Sequence, residues 1–158
     1  MDDYIIKRFE NPDEVREFDK GKYEVINLPG MTIGKATYYK GWKWSVDVSP
    51  LSGTKFCETE HLGMVISGTA TVAIEGEPVR EITAGDLFYV SQKPHDSWVV
   101  GDEDYVSIHF AGAEKYEVDP HIGISDAGPF ARKVRANGSN VLECAPLKAI
   151  APQGKMFG

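Results

Sequence analysis

The sequence predicts an all-β fold, a sandwich or barrel of short antiparallel strands, and two observations carry that prediction. Short runs alternate apolar and polar side chains with the period of two that a half-buried strand requires. Turn residues at Ser67-Gly68, Glu75-Gly76-Glu77-Pro78, Gly85, Pro94 and Gly101 punctuate these runs at intervals of about ten residues.

Taken in order, the first segment reads as helix. In Asn11-Pro12-Asp13-Glu14, Asn11 suits a cap, Pro12 the first turn, and the two acids the positive helix end. This helix is expected to be short and to end near Lys20-Gly21. Alternating strands follow at YEVINL and TIGKATYY. WKWSVDV places Trp42, Trp44, Val46 and Val48 on one face of an extended chain. LGMVIS, TATVAIE, DLFYV, SWVV and YVSIHF supply five more strands. Their inward faces are expected to bury Val65, Val72, Phe88, Val90, Val99 and Ile108. Beyond Ala111 the periodicity weakens, and residues 112–158 read as an extended arm or tail.

A chain of 158 residues suits a single domain, 1–158, able to bury its own core. Its formal net charge of −7 argues against a nucleic-acid partner and against an anionic membrane surface, since both need a basic face. Only two cysteines occur, Cys57 and Cys144, too few for a disulfide scaffold. The N-terminus has no basic start followed by an apolar run, and no stretch is apolar and long enough to span a bilayer. The expectation is a cytoplasmic protein with reduced thiols.

Two segments carry the candidate chemistry. GTKFCETEHLGMVISG ends on Gly68, and GDLFYVSQKPHDSWVVGD begins at Gly85. With the spacer between them they resemble the two motifs of the cupin family. The resemblance covers about residues 40–111, and it implies a double-stranded β-helix, or jelly-roll barrel, with a core at about 32–111. Counting back from Gly68, the family's glutamate position falls on His61, its second histidine on Cys57 and its first on Lys55. The histidine of the second motif falls on His95. The chain also resembles a subgroup of small stand-alone cupins through Gly-Trp-x-Trp-Ser from Gly41, Gly-Thr-x-x-Cys-x-x-x-His from Gly53, and His-Asp-x-Trp-Val-Val-Gly-Asp-Glu from His95. That likeness implies a fold and no particular reaction. A homodimer is a further implication of the family.

Physically, Cys57, Thr59 and His61 share strand parity, so they can face one way and meet His95. A thiolate with two imidazoles suits a divalent ion, zinc before copper, with a fourth position open to water or substrate. The two-histidine, one-carboxylate pattern of non-haem iron is absent. His109 on the next strand is a candidate fourth ligand or pocket residue. The competing interpretation is a buried small cysteine among core histidines. Lys55 offers a fixed positive charge for an anionic ligand, or is a solvated loop lysine. Trp42, Trp44, Tyr89 and Trp98 are candidates for an aromatic pocket, with ordinary core expected for at least half of them. Asp96 is adjacent to His95 and so points away from it on a strand, and Glu58 and Glu60 likewise point away from the donors. A Cys-His nucleophile lacks an orienting partner. The sequence thus points to a metal-binding protein that binds or transforms a small molecule, with catalysis left open. The alternatives are a metal-free module that binds or senses a small ligand and a structural dimer without pocket chemistry.

Overall fold

In the computed structural model the described residues are 3–113 and, as backbone only, the strands Phe130–Val134 and Asn140–Cys144. In chain order the elements are β1 (Glu14–Phe18), β2 (Gly21–Leu28), β3 (Met31–Tyr38), the short helices α1 (Trp44–Asp47) and α2 (Ser49–Ser52), β4 (His61–Ser67), β5 (Thr69–Ile74) and β6 (Arg80–Thr83). They continue with β7 (Leu87–Val90), β8 (His95–Asp96), β9 (Val99–Val100), β10 (Tyr105–Ala111), β11 (Phe130–Val134) and β12 (Asn140–Cys144). The larger sheet has the order β11-β12-β1-β2-β3-β10-β4-β7, and the smaller one β6-β5-β8 with β9 also on β5. Every pairing is antiparallel except β1 with β12. This is the all-β, two-sheet architecture that strand period and turn spacing predict.

The core lies between the sheets. Tyr23, Val25, Ala36, Tyr38, Val65 and Tyr105 enter it from the larger sheet, and Ala70 and Val99 from the smaller. Tyr38 stacks on Trp42 with ring centroids 3.7 Å apart, which ties the end of β3 to the segment that follows. Of the six residues expected inside, Val65, Val90 and Val99 are buried, Phe88 packs partly buried on the core, and Val72 is partly buried. Ile108 is on the other face. The inward residues of β10 are Tyr105, Ser107 and His109, and strand alternation sends Ile108 outward.

Two further expectations are corrected. The predicted N-terminal helix is a strand, β1. It pairs with β2 on one side and β12 on the other, partners no single-segment reading contains. Arg16 is buried, and its Nε donates to Glu14 Oε1 at 2.8 Å. Residues two apart share a face on a strand and not on a helix. Asp13, read as a helix-start acid, instead accepts the Asn27 backbone N–H at 2.7 Å. The second correction concerns WKWSVDV, which forms α1 rather than a strand. Trp44 and Val48 are four apart, so a helical turn buries them together and leaves Val46 58% exposed. Acidic side chains satisfy the exposed donors of this turn. Asp47 Oδ2 accepts the Lys43 N–H at 2.7 Å, and Asp96 Oδ1 accepts the Ser45 N–H at 3.0 Å.

In the expected arm, β11 and β12 form a hairpin that extends the larger sheet beside β1. The rest of 114–158 lies outside the described residues. No helix among the described residues is long and apolar enough to cross a membrane.

Gly68 and Gly76 both have positive φ, at 73° and 80°. A Cβ at Gly76 meets open space, whereas one at Gly68 collides with the Asp104 carbonyl and lies 2.8 Å from the Tyr105 Cα. Gly76→Ala should therefore cost only the left-handed strain of about 1–2 kcal/mol. Gly68→Ala should cost about 3 kcal/mol or more, because rigid backbone must also move. Denaturant unfolding of the two variants measures the difference, and equal losses would show that the β4–β5 turn has room to shift.

Candidate metal centre

The centre is assembled by main-chain pairing before any side chain is considered. Cys57 and His95 form an isolated antiparallel bridge that exchanges both hydrogen bonds, Cys57 N–H to the His95 carbonyl at 2.9 Å and His95 N–H to the Cys57 carbonyl at 3.0 Å. Residues directly opposite in such a pair send their side chains to the same face. His95 is also opposite Ile74 of β5, which seats β8 in the smaller sheet. His61 comes from the other sheet. It opens β4, opposite Val90 of β7, on the inward face shared with Gly63 and Val65.

Cys57 and His61 therefore do not meet through one continuous strand, as their parity suggests. Residues 58–60 separate the bridge from β4, and the two side chains converge across the gap. Cys57 Sγ lies 3.3 Å from His61 Nε2. The rings of His61 and His95 are 5.3 Å apart and nearly perpendicular. The donor atoms of Cys57, His61 and His95 all fall within 4.8 Å of one another, and all three residues are buried. This buried group could hold a metal ion. A tetrahedral zinc site places its nitrogen and sulfur donors about 3.3–3.8 Å apart, so closing on an ion needs movements of about 1 Å or less.

Hydrogen bonding prepares one of the ligands. His95 Nδ1 is 2.8 Å from the Lys93 carbonyl, which can only accept. The proton therefore resides on Nδ1, and Nε2 keeps its lone pair. Burial, with the neighbouring imidazoles of His109 and His95, holds His61 well below the ordinary histidine range. Burial also lowers His95, against the raising effects of the Lys93 carbonyl and Asp96. Burial takes His109 down to about 3. All three rings are neutral near pH 7, the form a metal requires.

His109 lies outside the three-donor group. Its Nε2 is 3.0 Å from Ser107 Oγ, and its ring packs against Tyr23 and Phe88, each at 5.5 Å, and His61 at 5.6 Å. Two glycines make this packing possible. Gly34 and Gly63 flank His109 in register. A Cβ on Gly34 would occupy the Tyr23 hydroxyl, and one on Gly63 would come within 2.6 Å of the Phe88 ring.

Beside the donors is a cavity of about 40 Å³. Of the expected pocket residues, Trp44 and His109 line it. Lys55, Tyr89 and Trp98 do not. Lys55 is exposed with its Nζ over the Phe56 ring, Tyr89 is 63% exposed and donates to Glu60 Oε2, and Trp98 packs under Lys43 Nζ. Trp42 belongs to the core. Asp96 anchors Ser45 through its N–H and Oγ and does not hydrogen-bond the His95 ring. The remaining polar lining, Tyr38, Ser97, Tyr105 and Ser107, was not anticipated. Tyr105 and Ser107 share the parity of His109 on β10, a signal present in the sequence.

No family model matches the sequence, and no curated protein matches it. Solved structures do show similarity. The chain is similar to a protein of unknown function from Rhizobium leguminosarum bv. viciae at 18% identity, covering 57% of this chain and 78% of that one, with a TM-score of 0.44. It is similar to KdgF from Halomonas sp. at 17% identity, covering 59% and 83%, with a TM-score of 0.42. A mutant of the Bacillus subtilis oxalate decarboxylase OxdC matches at 19% identity and a TM-score of 0.46, covering 67% of this chain and 28% of that longer one.

The depressed histidines make stability pH-dependent in a fixed direction. Their unfolded forms bind protons near pH 6.5 while the folded forms do not, so the unfolded state carries more protons below that pH. The stability of the metal-free protein should be full above about pH 6.5 and fall as the pH drops toward 3, where His109 titrates. Denaturant midpoints at pH 7.5, 6 and 5 test this. His109→Gln should reduce the dependence on pH by about one proton. An unchanged slope would mean that His109 is charged or solvated in the folded state.

Proposed function

We propose that the chain holds one divalent ion, zinc, between Cys57, His61 and His95, and binds or transforms a small molecule beside it. The observation that carries this reading is the convergence of three buried donors within 4.8 Å, His61 and His95 from strands of the two sheets and Cys57 from an isolated bridge to His95. A packed core does not need two imidazoles and a thiol at one point, whereas a soft divalent ion does. When bound, such an ion supplies Lewis acidity and makes water more acidic.

The chain's own residues define what can enter. Among the described residues, no Asp, Glu, Lys or Arg lines the cavity. One thiolate with a divalent ion leaves a single positive charge, so the fitting ligand is neutral or a monoanion. About 40 Å³ admits only a few heavy atoms unless side chains move. Trp44 lines the cavity, and its Nε1 is buried with no hydrogen-bond partner among the described residues. Val72, Ile82, Phe88 and Val90 keep bulk water from the donors.

A metal-free binding module is the second reading, and one observation favours it. The 3.3 Å contact between Cys57 Sγ and His61 Nε2 also has the length of a thiol-imidazole hydrogen bond.

Elemental analysis of untagged protein separates the two readings. The expected result is about one equivalent of zinc, retained through dialysis. His61→Ala and His95→Ala should lose it with unchanged circular dichroism, and Cys57→Ser should weaken it by about tenfold or more. Lys55→Ala should have no effect. A wild-type protein that carries no metal and takes up none from buffered zinc would overturn the metal reading in favour of the metal-free one.

A further inference from the structure

The outer face of the larger sheet changes character partway across. On β2 and β3 it is charged, where Glu24 pairs with Lys22 at 3.1 Å and with Lys35 at 3.2 Å. One strand further on, the charge stops. Lys35 is opposite Ile108, Ile108 is opposite Met64, and Met64 is opposite Leu87. The outward positions of β10, β4 and β7 carry no charged side chain. At about 200 Å² for a full residue of this size, Leu62, Ile66, Leu87, Tyr89 and Phe110 together present roughly 550 Å² of open surface. An apolar patch of that size marks a surface that something covers. Acids close the patch at both ends. Exposed Glu60, Asp86 and Asp104 immediately precede β4, β7 and β10. Because β4 runs antiparallel to the other two, Glu60 lies at one end and Asp86 and Asp104 at the other. None of the three forms an ion pair with a described residue. The occupant this face fits is therefore apolar and basic.

We propose that the chain's own residues 145–158 dock on this face, with Met156 and Phe157 against Ile66 and Leu87 and with Lys155 beside Asp86 and Asp104. Composition selects this segment. It carries Lys148 and Lys155 and no Asp or Glu, together with Leu147, Ile150, Met156 and Phe157. Residues 114–129 are the other long stretch outside the described residues, and their acids Glu114, Glu117, Asp119 and Asp126 outweigh Lys115. They would meet the acids of the patch with like charge. Reach agrees. The register runs from Glu143 through Glu17, Lys22 and Thr37 to Val106, so β12 ends at the side of the sheet where Asp104 lies. Five strand spacings of about 4.8 Å, roughly 24 Å in all, separate β12 from β4. The stretch from Cys144 to Lys155 covers up to about 36 Å when extended, so it crosses that width with chain to spare. His61 points to the opposite side of β4, so a cover here leaves the cavity unobstructed and does not depend on what the centre holds.

A zero-length carbodiimide, which joins an amine to a carboxylate only where the two touch, tests the proposal on the full chain. The reaction is run on an equal mixture of isotopically light and heavy protein and read by peptide mass spectrometry. The expected product links Lys155 to Asp86 or Asp104 within one molecule, light to light and heavy to heavy. The Lys7–Asp13 pair, in contact at 2.7 Å, reports that the reagent has acted. Met156→Ser with Phe157→Ser removes the apolar contact and keeps both lysines. It should cut the yield of the link by about tenfold or more. It should also raise the fluorescence of anilinonaphthalene sulfonate, a dye for uncovered apolar surface, with circular dichroism unchanged. Val46→Gln changes an exposed residue off this face and should alter neither readout. A link between a light and a heavy peptide would place another copy's segment here and overturn the proposal. So would the absence of any link from Lys148 or Lys155 to Glu60, Asp86 or Asp104, or a link that survives the double serine variant at full yield.

Discussion

The two hydrogen bonds between Cys57 and His95 are the constraint from which the rest of the centre follows. They join a segment outside any strand to the short β8, and they leave no choice about which way either side chain points. Had the pairing slipped by one residue, His95 would exchange faces with Asp96, and an anion would replace the imidazole. That alternative is closed from the other face. Asp96 accepts hydrogen bonds from Ser45 N–H and Ser45 Oγ, so it also secures α1. Register, helix anchoring and donor orientation are one event.

The two-sheet fold was legible because it rests on period two and turn residues, which are local properties. The donors Cys57, His61 and His95 were legible for a different reason, the spacing of each from Gly68 or Gly85. How they meet was not. Parity on a single strand suggested a route, whereas the actual route passes through a bridge to β8 and across 58–60. β1 was misread because its helix-start residues are real signals overridden by pairing on both edges. α1 was misread because Trp44 and Val48 satisfy both a period of two and a spacing of four. The discriminating residue was Asp47, whose carboxylate accepts the Lys43 N–H. Lys55 was expected near the site because it falls where the resembled family has its first histidine, and Tyr89 and Trp98 as aromatic candidates, and strand alternation or loop position carried each elsewhere.

Hydrophobic enclosure and polar chemistry are balanced closely around the histidines. His109 contributes no donor to the three-residue group, yet it fills the space behind His61 and is itself fixed by Ser107. Gly34 and Gly63 exist in this arrangement as missing side chains. Their absence lets the Tyr23 and Phe88 rings reach His109 from either side. The wall behind the centre is therefore aromatic and buried, and that burial disfavours the charged form of the imidazoles.

The bond that fixes the His95 tautomer comes from the main-chain carbonyl of Lys93, not from a side chain. Every amino acid carries that carbonyl. Position 93 can drift across generations without altering the lone pair that Nε2 presents, provided the path of the chain is preserved. Pro94 helps preserve it, since a residue before proline is confined to extended backbone. The orientation of this imidazole is inherited through chain geometry, so it is robust to most point substitutions at its hydrogen-bond partner and vulnerable instead to insertions or deletions between 91 and 95.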